Sequence, residues 1–95
     1  MHVWVGPISL EIVISKKVRT HCGEECAGAI DLERGIIEIE EGLDPQYQDI
    51  VLWHEVVHAI RFLAGTVVPE EAVACLASGI VDVLRRNPDM RLEES

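Results

Sequence analysis

Aromatic side chains are scarce in this chain, with two Trp, one Tyr and one Phe among 95 residues. Its core must therefore be aliphatic, built from the Ile, Val, Leu and Ala that supply most of the 48% hydrophobic content. Positive charge is also sparse. Eight Lys and Arg face 17 Asp and Glu, for a net charge of −9. The basic residues are scattered, with doublets only at Lys16–Lys17 and Arg85–Arg86. Phosphate binding needs a clustered basic surface, so nucleic acid is excluded as a partner, and an anionic membrane surface with it.

Long apolar runs are missing too. No stretch approaches the roughly 20 apolar residues of a membrane span. The opening residues, MHVWVGPISLEIVIS, lack a basic region followed by an unbroken apolar segment, and so do not read as a signal peptide. Three cysteines, an odd number, fit reduced thiols better than a disulfide framework. The expected setting is cytoplasmic. Repeats, linkers and low-complexity segments are absent, and the length suits one domain spanning residues 1–95.

The predicted fold is α+β, a small N-terminal antiparallel sheet of three or four strands followed by two long helices. His2–Val5 and Ser9–Ser15 read as short strands broken by Gly6-Pro7, with Leu10, Ile12 and Ile14 on one face. Residues 16–28 are polar and Gly-punctuated, and read as a loop. Ala27–Leu32 and Ile36–Glu40 flank Glu33-Arg34-Gly35 as a second hairpin, and Ile36–Glu40 is a candidate exposed edge for an extended peptide. The β-rich part thus covers 1–43.

From Asp44 the period changes. Asp44 suits an N-cap, Pro45 the first helical position and Gly65 a C-terminal stop, which places a helix within 44–65. A second helix, over 69–87, starts at Pro69 with Glu70 and Glu71 in its first turn and ends at Asn87-Pro88. Residues 88–95 read as a tail.

The first helix carries His54-Glu55-Val56-Val57-His58, an H-E-x-x-H match. Histidines four apart stand one turn above each other on one helix face and can share a zinc ion. The glutamate beside the first ligand is placed to act as general base. Between Ile50 and Ile60 these three are the only polar side chains. A helix so apolar is buried, and burial of two imidazoles and a carboxylate is costly unless something such as a metal pairs with them. The bland alternative is a core helix whose histidines bond backbone carbonyls. Chance produces the motif in well under ~1% of chains this long.

The longer H-E-x-x-H-x-x-G-x-x-H form does not fit, because Arg61 and Ala64 occupy the glycine and third-histidine positions. A carboxylate from the second helix is the remaining standard third ligand, and periodicity leaves Glu70 and Glu71 both open.

In its order of strands, H-E-x-x-H helix, short loop and Glu-bearing helix, the chain resembles the gluzincins. More narrowly it is similar to the ImmA/IrrE-like metallopeptidases and their short phage and prophage relatives. The similar stretch runs from about Gly28 to Pro88 and includes Ala29-Ile30-Asp31, Leu52 to Ile60 and Glu70-Glu71-Ala72-Val73. The resemblance implies a minimal zinc peptidase acting on a peptide or protein. It favours Glu71, which directly precedes alanine, as third ligand beside His54 and His58, with Glu55 as the catalytic base. The competing expectation is a zinc-stabilised, non-catalytic or latent interaction module, since 95 residues leave little wall for a substrate cleft.

Weaker signals remain. His21, Cys22 and Cys26 hint at a second metal site, but their spacing is loose and a solvated loop explains them better. Cys75 reads as a small core residue. Tyr47, seven residues before His54, shares its helix face and suits oxyanion stabilisation. Asp31 and Asp82 are candidates to hold the far nitrogen of a ligand histidine.

Overall fold

In the computed structural model, which describes residues 1–19 and 25–90, a four-stranded mixed sheet precedes two helices. Strands β1 (His2–Val5) and β2 (Ile8–Ser15) form an antiparallel hairpin, with Val5 opposite Ile8 across Gly6-Pro7. The two-residue strands β3 (Val18–Arg19) and β4 (Glu25–Cys26) make a separate ladder. The segment read as a loop is thus strand-paired at its two sides. Strands β5 (Gly28–Asp31) and β6 (Ile36–Glu40) form the second hairpin. Gly35, at φ +70°, supplies the left-handed residue of its turn.

The sheet order is β1-β2-β6-β5, and β2 runs parallel to β6. This corrects two expectations. The sheet is mixed rather than antiparallel, because each hairpin is local while the joining of the two hairpins is a long-range choice. Ile36–Glu40 is consequently an inner strand, and the edge on that side is β5. Alternation sets the core: Leu10, Ile37 and Ile39 are buried and pack with Val51, Val56 and Ala59 of helix α1 (Pro45–Ala64).

The ends of α1 follow the sequence signals. The Asp44 side chain accepts the Gln46 N–H at 3.0 Å, and Gly65 closes the helix in the left-handed region at φ +68°. Helix α2 (Glu70–Arg86) returns along α1 and buries Val73, Ala77 and Val81. Cys75, expected in the core, is instead exposed, since it lies two residues from Val73 and Ala77 and so off the buried stripe.

Gly28 sets how closely α1 approaches the edge strand. A Cβ there would lie 2.4 Å from Val51 Cγ1 and 3.5 Å from Glu55 Cγ. Gly28→Ala is therefore expected to destabilise by about 1–3 kcal/mol through overpacking. Gly79, which has open space around it in mid-helix, should gain about 0.5–1 kcal/mol on replacement by Ala. Paired thermal melts of the two variants check this, and a Gly28→Ala protein as stable as wild type would contradict the close approach.

Candidate metal centre

Three side chains converge above the buried face of α1. The Glu70 carboxylate places Oε1 2.5 Å from His54 Nε2 and Oε2 3.1 Å from His58 Nε2. The two imidazoles stand edge to face with centroids 5.0 Å apart, as positions i and i+4 of a helix require. Among the described residues, these three form the group of possible metal donors, with ligand atoms all within 4.8 Å of one another.

The carboxylate that meets the histidines is Glu70. Glu71, favoured by the resemblance, stands outside this group, although both glutamates are exposed. Successive helical residues turn by about 100°, and α2 faces α1 through Val73, Ala77 and Val81. Glu70 precedes Val73 by three positions and lies on that side. Together with Ala74 and Ser78, one and two turns on, it lines the cleft.

The donor set suits zinc. Tetrahedral zinc with bonds of about 2.0–2.2 Å holds neighbouring donors roughly 3.3 Å apart, so these atoms need shifts on the order of 1 Å. Two imidazole nitrogens and a carboxylate are a standard set for a zinc site that keeps a position open.

Glu55 is the buried charged residue of the core, at 6% exposure. Its Cγ lies under Gly28 of the edge strand. Burial raises its carboxyl pKa above the ordinary 4.5; the neighbouring His54 opposes that shift and Glu70 reinforces it. Burial also holds His58 below the ordinary 6.5, against the pull of Glu70 in the other direction.

The cleft over these residues has a volume of about 870 Å³. Its walls are Ala27 to Leu32 along β5, the exposed face of α1 including Tyr47, Ile50 and Phe62, and the first turns of α2. Tyr47 thus lies at the cleft, about half exposed. Asp31 lines it as well, but accepts the Arg34 backbone N–H at 3.0 Å rather than a histidine. Asp82 is ion-paired to Arg86 at 2.9 Å. The side chains of His21, Cys22 and Cys26 lie outside the described residues. Arg34 and Arg61 also line the cleft. The sequence pointed to Arg61 only as a misfit in the longer motif.

No family model, curated protein or solved structure matches the chain. The site's chemistry therefore stands on its own geometry.

The raised Glu55 pKa fixes the sign of a pH effect. A carboxyl whose folded pKa is raised contributes stability below its unfolded pKa, and that contribution is lost as pH rises through the folded value. Glu55→Gln should therefore raise the melting temperature of the metal-free protein at about pH 7–8, with a gain that shrinks towards nothing near pH 4. Calorimetry across that range measures it, and a pH-independent gain would contradict burial as the cause.

Proposed function

We propose that this protein is a zinc-dependent peptidase, in which His54, His58 and Glu70 hold the metal and Glu55 is the general base. The observation that carries the reading is the convergence of these donors beside a buried carboxylate, in a cleft bordered by an edge strand. The resemblance to the ImmA/IrrE-like metallopeptidases points the same way, and an odd number of cysteines suits a cytoplasmic setting. No helix among the described residues is long and apolar enough to cross a membrane.

Zinc, when bound, would supply Lewis acidity towards a water and the scissile carbonyl. The chain's own residues do the rest. Glu55 accepts a proton from the attacking water and returns it to the leaving amine. Its elevated pKa suits both roles, because a base of higher pKa is the stronger acceptor. The β5 edge offers backbone groups to an extended peptide, which the inner strand β6 cannot do. The cleft volume falls within the range of ligand sites, so the chain's small size does not deny it a substrate.

Zinc-loaded protein incubated with a quenched-fluorescence peptide library should show cleavage. Glu55→Gln should lower it by about 10²–10⁴-fold while zinc content stays unchanged. Undiminished cleavage by Glu55→Gln would contradict the mechanism. Full zinc loading with no cleavage at all would favour the zinc-stabilised interaction module instead.

A further inference from the structure

Arginine pairing in this acidic protein is uneven. Arg85 and Arg86 each meet a carboxylate, Asp49 at 2.8 Å and Asp82 at 2.9 Å. Arg34 and Arg61, the two arginines that line the cleft, form no ion pair among the described residues. None of the acids lining the cleft forms an ion pair with them among the described residues. Glu38 accepts the Ser15 hydroxyl at 3.2 Å, and the Asp31 side chain accepts a backbone N–H.

Arg61 is the more telling of the two. It lies three positions after His58 and seven after His54, hence on the same face of α1 as the metal donors. Its Nη1 donates to the Thr66 carbonyl at 3.5 Å, while its Nε is buried without any hydrogen-bond partner. A buried donor left without a partner carries a free-energy penalty, which favours any rearrangement that pairs it. Arg61 thus lines the cleft with most of its hydrogen-bonding capacity unused, and a planar guanidinium on a flexible stem can turn to meet a carboxylate at two points.

We infer that the cleft selects ligands by a carboxylate group, gripped by the guanidinium of Arg61 with Arg34 adding charge at the cleft wall. This rests on the peptidase reading only in calling the ligand a peptide. Two sources supply such a group, the free C-terminus of a peptide or the side chain of an Asp or Glu near the bond to be cut. With net charge −9 the protein repels anionic ligands at long range, so a site for one needs this local pair of cations.

The test uses the metal-free full-length chain, so binding is read apart from hydrolysis. Three alanine-based pentapeptides serve as probes, their affinities measured by calorimetry. One has blocked ends and a central glutamate; one has blocked ends and a central glutamine; the third has the glutamine and a free C-terminal carboxylate. At least about tenfold tighter binding is expected for one carboxylate-bearing probe over the blocked glutamine peptide. Which probe wins identifies the source. Arg61→Gln should erase the preference without lowering the melting temperature, and Arg61→Lys should retain part of it as a point charge. Equal binding of all three probes, no binding, or a preference that survives Arg61→Gln overturns the inference. A preference found in a protein that cleaves nothing leaves carboxylate recognition standing and removes the peptidase reading. Cleavage without any preference does the reverse.

Discussion

Two partly exposed imidazoles and one buried carboxylate sit on a helix face that packs otherwise against aliphatic side chains, and pairing them constrains the elements around the site. Unpaired polar groups in such a setting cost several kcal/mol each, a large share of the stability of a chain this short. Glu70 supplies the missing partner for both histidines. The first turn of α2 lies beside the motif because that helix returns along α1, burying Val73, Ala77 and Val81. Glu55 is handled differently. It is enclosed beneath the edge strand at Gly28, and burial shifts it towards its neutral form.

The sheet serves this arrangement more than it builds a large core. Leu10, Ile37 and Ile39 give α1 an aliphatic floor. The β5–β6 hairpin then brings an edge strand alongside the site, where Gly28 allows a closer approach than any side chain would. One consequence is a cleft whose candidate metal donors come from both helices and whose rim comes from β5. Another is that its two arginines stay clear of the carboxylates that neutralise Arg85 and Arg86.

Much of this was legible in the sequence because the signals were local. Asp44, Pro45 and Gly65 bound α1, Pro69 precedes α2, and hydrophobic alternation marks both hairpins. What escaped was long-range. Nothing local says that β6 rather than β5 lies beside β2, so the parallel pair and the true edge were hidden. The carboxylate that meets the two histidines was hidden for a subtler reason. α2 carries a buried stripe, Val73, Ala77 and Val81, and further apolar residues, Leu76, Val83 and Leu84, that stay exposed. With apolar residues on both sides, the sequence does not show which face meets α1, and so whether Glu70 or Glu71 turns inward. The same ambiguity misplaced Cys75. Arg61 was visible only as a departure from a longer motif, since the purpose of an unpaired cation appears only with its surroundings.

In the proposed zinc site one carboxylate, from the first residue of α2, completes the donor set with the two motif histidines. Zinc affinity measured by chelator competition, on wild type and on single alanine variants of Glu70 and Glu71, tests it most directly. The account predicts one zinc per chain in the wild type, affinity lowered at least about tenfold by Glu70→Ala, and near-wild-type affinity in Glu71→Ala. A chain that binds no zinc, or one that loses it with Glu71 and keeps it without Glu70, would contradict the account.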